Sequence, residues 1–192
     1  MPRKPRILEP NRVCHIYNRR TDRQLLFPSP RAYRDFLQLL QDGVERFGVR
    51  ICAYCAIETH WHQAIWIPEQ GDKTPVVNYL RRLSSSHALR FRFRTGTRGH
   101  GHVYQDRYKA KPVMDDSHYL TLIRYIEANP VAARLVERAE QWPWSSFAER
   151  INGHRRILVD GPVPLPPDWP DIVNTPIERD DPDLEEGRRW GR

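Results

Sequence analysis

His60 and His62 flank Trp61 inside the run Ile51-Cys-Ala-Tyr-Cys-Ala-Ile-Glu-Thr-His-Trp-His-Gln-Ala-Ile-Trp-Ile67. The flanks are rich in apolar and aromatic residues and read as strand on either side of a short break at Glu58-Thr59. Residues two apart on a strand project from one face, so the two imidazoles emerge together while Trp61 turns to the reverse face. Such a pair can hold a divalent metal from a rigid support; the plainer alternative is two edge-strand histidines with no ligand. Further along, Tyr125 and Asn129 lie four apart in the helical stretch Asp115 to Pro130 and share a flank beside the apolar stripe of Tyr119, Leu122, Ile123 and Ile126. A phenol one turn from a carboxamide suits a nucleophile next to a third metal ligand. The packing alternative is a boundary Tyr capped by an Asn that ends the helix before Pro130.

Taken as one site, these four residues could hold a hard cation, Mg²⁺ or Mn²⁺, on His60, His62 and Asn129, and set the Tyr125 oxygen to attack a group that the metal has polarised.

The elements that must position the site follow from periodicity. Residues 12–18 alternate as a first strand. Residues 30–47 make an amphipathic helix, with Ser29 before it, Pro30 opening it and Gly48 ending it. Strands are expected at about 49–57 and 60–67, then a helix from about Pro75 to Arg94 capped by Thr74, short strands, and the Tyr125 helix. This order predicts an α+β fold, an antiparallel sheet with helices on one face. Residues 1–160 are expected to form the catalytic domain. From Gly161 a proline-rich and then acidic extension, residues 161–192, reads as an extended strap and flexible tail.

These blocks, in this order, resemble the HUH superfamily of single-strand DNA nucleases, and within it the REP-associated tyrosine transposases of the IS200-like group. The resemblance covers roughly residues 9–150. It runs through Cys14-His15-Ile16-Tyr17-Asn18-Arg19, Arg46-Phe47-Gly48-Val49, the two-His strand, Gly101-His102-Val103-Tyr104-Gln105-Asp106-Arg107-Tyr108, Arg124-Tyr125-Ile126, Asn129-Pro130-Val131 and Trp142-Pro143-Trp144. It implies the ferredoxin-like fold of that group and cleavage of single-stranded DNA next to REP-type palindromic hairpins, with in-line attack of the Tyr125 oxygen on the scissile phosphate, a 5′-phosphotyrosine intermediate, a free 3′-hydroxyl and possible strand transfer. The chain departs from the family where Glu58-Thr59 replaces a Pro-Asn pair, and where Trp61 and Gln63 replace aliphatic residues.

A formal charge of +7 and a pI near 9.6 favour an anionic partner. Seven acids against four Arg fall in residues 171–192, leaving +10 on residues 1–170. The candidate DNA surface comprises Arg19, Arg81, Arg82, Arg90, Arg94, Arg98, His102, Arg107, Tyr108, Lys109 and Lys111, interleaved with Phe91 and Phe93. Cations track phosphates and rings stack unpaired bases, although a solvated helix face accounts for some of this set. The Cys52-x-x-Cys55 pair and the loop pair His100 and His102 read as core filler and phosphate contact rather than metal sites. No membrane span or signal peptide is visible, so a cytoplasmic protein is expected, and the family resemblance favours a monomer. The rival readings are a regulator of the same fold without cleavage and an RNA-binding protein.

Overall fold

The computed structural model describes residues 8–21, 24–67, 73–97 and 101–176. Four strands, β1 (Val13–Arg19), β2 (Arg50–Ile57), β3 (His60–Trp66) and β4 (Lys109–Pro112), form one antiparallel sheet in the order β2-β3-β1-β4. Five α-helices accompany it: α1 (Pro30–Phe47), α2 (Thr74–Thr95), α3 (Asp116–Ala132), α4 (Ser146–Asn152) and α5 (Trp169–Asn174). None of the described helices is long and apolar enough to cross a membrane.

Strand alternation divides the interior in two. Cys14, Ile16, Ile51, Tyr54, Ala56, Trp61 and Ile65 point to one face, where α1 and α2 cover them with Tyr33, Phe36, Leu40, Tyr79, Leu80 and Leu83. Val13, Ala53, Cys55, Ile57 and Ala64 point to the other, where α3, α4 and α5 supply Tyr119, Leu122, Ile123, Ile126, Phe147 and Trp169. The α+β antiparallel class is as expected, but helices cover both faces instead of one. An apolar stripe states that a helix must be buried, not on which side of a sheet.

Trp61 and Gln63, which depart from the family pattern on β3, belong to the α1/α2 face. Trp61 is fully buried and its Nε1 donates to the Tyr104 hydroxyl at 3.1 Å, which in turn meets His87 Nδ1 at 2.6 Å. Gln63 Oε1 accepts from the Tyr79 hydroxyl at 2.7 Å. Tyr104, a base-stacking candidate by its basic surroundings, is therefore a core residue.

Cys52 and Cys55 do not face opposite ways as a regular strand would require. A bulge between Ile51 and Ala53 shifts the register, and both thiols join the α3 face. Burial raises Cys52 to about 12 and Cys55 well above its ordinary range, so both are neutral packing groups. Pro130 does not close its helix. α3 continues to Ala132 with Pro130 in the last turn, and Asp115 caps its start by accepting from the His118 N–H at 2.8 Å. At the start of α2, Lys73 is the cap and Thr74 the first helical residue. The expected break at 68–72 lies outside the described residues.

Candidate active site

Three cross-strand rows on the α3 face build the site. The register sets Cys55, His62, Tyr17 and Lys109 in one row, Ile57, His60 and Arg19 in the next, and Ala53, Ala64, His15 and Lys111 in the third. Two alanines in the last row keep the sheet surface low where α3 crosses it. The Tyr125 ring then meets His62 edge-on, with centroids 5.3 Å apart and planes at 82°. It lies 6.1 Å from the His15 ring, also nearly perpendicular.

The two histidines of β3 come together as alternation requires, with ring centroids 4.9 Å apart and planes at 87°. Each has its Nδ1 engaged. His62 Nδ1 lies 2.9 Å from His15 Nε2, and His60 Nδ1 lies 2.9 Å from the Thr59 hydroxyl. His62 Nε2 is buried and has no hydrogen-bond partner among the described residues. Burial holds all three imidazoles neutral: His15 is lowered to about 3, His60 to about 4, and His62 well below its ordinary range. Nearby cations reinforce this, Lys111 acting on His15 and Arg19 on His60.

Asn129 is buried one turn from Tyr125, and its side-chain amide acts to lower the phenol's pKa. Burial outweighs it, and Tyr125 is raised to about 12. The Asn129 carboxamide oxygen has acceptor capacity to offer a cation. Asn129 therefore does not end the helix as a cap; it sits inside α3 against the tyrosine.

Among the described residues no group of three or more His, Cys, Asp or Glu side chains is gathered to hold a metal ion. The set present is two neutral imidazoles and a carboxamide, with one buried imidazole nitrogen lacking a partner. That donor set fits a divalent cation that tolerates nitrogen and oxygen ligands together.

The basic residues separate into three groups. Arg19, Lys109 and Lys111 rim the site on the sheet surface, with Lys109 Nζ 6.0 Å from the Tyr17 ring centroid. Arg81, His102, Arg107 and Tyr108 line a groove of about 660 Å³ between α2 and the 102–108 loop, with Asn18 at its base. Arg82 is exposed on α2 outside this lining. Arg90 and Arg94 instead hold α2 to α1, Arg90 Nη1 donating to the Asp35 carbonyl at 3.0 Å and Arg94 pairing with the Asp35 carboxylate. Arg98 and His100 lie outside the described residues. A second hollow of about 240 Å³ shares Asn18, Gln105, Asp106 and Arg107 with the groove and is also lined by Tyr17, Arg19 and Lys109. Phe91 is buried, whereas Phe93 is 70% exposed.

Two features of the site escaped sequence reasoning. His15 reads in sequence as a sheet residue or a DNA contact, and nothing in its spacing ties it to His62. Glu127 is fully buried on α3, accepting from Ser146 Oγ at 2.7 Å, Arg150 Nη2 at 3.0 Å and Trp169 Nε1 at 2.8 Å. Arg124 adds bonds of 3.0 Å to the Ile172 and Thr175 carbonyls. The helix that carries Tyr125 is thus fastened to α4 and α5 on either side of the tyrosine.

A tyrosine and a carboxamide on one helix thus lie across a two-histidine strand of an antiparallel sheet. Residues 11–129 match the family profile described as Transposase IS200 like, and the chain belongs to that family. Its family-level function is the binding and cleavage of single-stranded DNA. The chain is 25% identical over 140 residues to a Haemophilus influenzae protein assigned as a REP-associated tyrosine transposase, covering 70% of this chain and 74% of that one. Among solved structures it resembles a REP-associated tyrosine transposase bound to a REP hairpin, with a TM-score of 0.63 at 20% identity over 87% of this chain and 96% of that chain. A more distant likeness is to a Deinococcus radiodurans protein assigned as a transposase, with a TM-score of 0.42 at 14% identity over 66% and 96% of the two chains.

Proposed function

We propose that this chain is a REP-associated tyrosine transposase that cuts single-stranded DNA beside a palindromic hairpin, with Tyr125 as nucleophile. The observation that carries the reading is the Tyr125 ring packed edge-on against His62, with Asn129 one turn further along the same helix. His60 and His62 through nitrogen, and Asn129 through its carbonyl oxygen, would hold Mg²⁺ or Mn²⁺. When bound, such a cation supplies Lewis-acid polarisation of the scissile phosphate.

The chain's own groups do the rest. The Tyr125 oxygen attacks phosphorus in line and the 3′-oxygen leaves, which gives a 5′-phosphotyrosine and a free 3′-hydroxyl. A later attack by another 3′-hydroxyl reverses the step and rejoins strands, without ATP. Asn129 orients the phenol and favours its anion. Arg19, Lys109 and Lys111 draw the backbone to the sheet surface, and the groove lined by Arg81, His102, Arg107 and Tyr108 receives the hairpin, with the single-stranded flank crossing by the hollow at Asn18. The likeness to a hairpin-bound relative supports this choice of partner.

The test is covalent trapping. Wild-type protein with Mn²⁺ and a labelled hairpin bearing a single-stranded flank should give a denaturant-stable adduct on Tyr125, joined to the fragment with the 5′ phosphate. Tyr125→Phe should give none while binding the hairpin within about twofold, since phosphate contacts supply most of the affinity. Binding by wild type with neither adduct nor cleavage would favour a regulator. Adduct at another tyrosine would overturn the assignment.

A further inference from the structure

We propose that His15 is a positioning residue for the metal site: its Nε2 accepts the Nδ1 proton of His62 and so commits His62 to present an unprotonated Nε2 as its ligating atom. The inference rests on the reading of His62 as a ligand and adds the device that prepares it.

Two neutral imidazoles 2.9 Å apart share one proton, and it can sit on either nitrogen. If His15 donated, His62 would carry its own proton on Nε2, a buried N–H with no acceptor among the described residues. Stranded donors are rarer in folded proteins than stranded acceptors. If His62 donates, its Nε2 holds a lone pair instead, the form a cation requires. His15 then keeps its proton on Nδ1, and no His15 atom is among the buried side-chain atoms that lack a partner in the described structure. Only the second arrangement leaves no proton stranded.

The geometry is fixed by register rather than by the local chain. His15 opposes Ala64, not His62, so the bond runs diagonally between β1 and β3, across the space that the alanine leaves open. His60 is served differently. Its Nδ1 meets Thr59, its neighbour in the turn, at the position where this chain departs from the family pattern. A hydroxyl both donates and accepts, so Thr59 orients the ring without choosing its tautomer. His15 should therefore matter more than Thr59. Outer partners of this kind tune a ligand's affinity through the nitrogen that does not bind the metal.

The experiment reads tautomer and metal separately. Long-range ¹⁵N-edited NMR of metal-free protein at neutral pH should find His62 as the Nδ1–H tautomer in wild type, and shifted toward Nε2–H in His15→Leu. Mn²⁺ titration by calorimetry should weaken about 10–100-fold in His15→Leu. His15→Gln, whose carboxamide oxygen can accept the same proton, should recover part of both readouts and serves where the leucine variant folds poorly. Thr59→Val should cost less than His15→Leu. An Nε2–H tautomer in wild type would overturn the proposal, as would an unchanged tautomer and Mn²⁺ affinity in both His15 variants. If wild type shows the Nδ1–H tautomer but binds no Mn²⁺ through His62, the metal reading fails and the hydrogen-bond assignment stands.

Discussion

The two faces of the sheet take opposite work from the same strands. On the α1/α2 face the polar atoms of β3 are spent on packing: Trp61 bonds Tyr104 and Gln63 bonds Tyr79, inside an aromatic layer that includes Phe27, Phe36 and Tyr33. On the α3 face the alternate residues of that strand, His60 and His62, turn to neutral imidazoles and a tyrosine, with cations at the rim. One face insulates and the other carries the proposed site. The period of two lets seven residues do both, because Trp61 anchors the backbone between the two histidines. α3 packs there on Val13, Cys55 and Ile57, and it is also held from outside the sheet.

Glu127 supplies that hold, and its loss should be the largest effect on stability. Glu127→Ala would leave Arg150, whose side chain is 13% exposed, without its carboxylate, and would strand Ser146 and the Trp169 N–H. Breaking a buried pair in this way costs about 3–5 kcal/mol. Urea unfolding should report that loss, and cleavage should fall at temperatures where the variant is still folded, because α3 loses a fastening two residues from Tyr125. Equal activity per folded molecule would mean that the sheet alone positions the helix.

Acid separates the faces next. His15, His60 and His62 on one side and His87 on the other are all held below the ordinary value of 6.5, chiefly by burial, with His87 lowered to about 3. The unfolded chain takes up these protons below about pH 6.5 while the folded one refuses them. Stability is therefore full above that pH and falls as the pH drops toward the folded values, by up to about 1.4 kcal/mol per pH unit for each histidine. Thermal unfolding between pH 7 and 5 should show the decline. His87→Gln should flatten it while leaving stabilisation by Mn²⁺ at pH 7 intact. His62→Gln should flatten it and abolish that stabilisation. If both variants respond to Mn²⁺ alike, the cation does not distinguish the faces.

Much of this was legible in the sequence where one strand or helix decides the matter. Ser29, Pro30 and Gly48 bracket α1 at its observed ends, and alternation through His60-Trp61-His62 assigns each residue its face. The i, i+4 relation of Tyr125 and Asn129 holds within α3, where both lie. What stayed hidden is long-range. The bulge at Cys52 changes parity without a glycine to mark it. The six residues of α5, within a proline-rich stretch, are too short to show a helical period, yet Trp169 reaches Glu127 from there. His15 meets His62 only because β1 lies beside β3 in that register. Lone side chains carry no signal of a partner on another strand.

The smallest expected effect concerns the arginines, which sequence treats as one basic set and the fold divides. Arg81 and Arg107 line the groove beside α2, while Arg90 and Arg94 bind Asp35 and join α2 to α1. A phosphate contact releases counterions, so each one lost lowers the salt slope of binding by about one. Arg81→Ala with Arg107→Ala should weaken hairpin binding about tenfold at physiological salt, reduce the slope by about two, and leave thermal stability near wild type. Arg90→Ala with Arg94→Ala should do the reverse, lowering the unfolding midpoint with little change in slope. Fluorescence anisotropy over a salt series, beside thermal scans of the same proteins, reads both quantities. Equal slope changes in the two pairs would mean that the DNA path covers the α1–α2 seam as well as the groove, and the division between packing arginines and phosphate arginines would then fail.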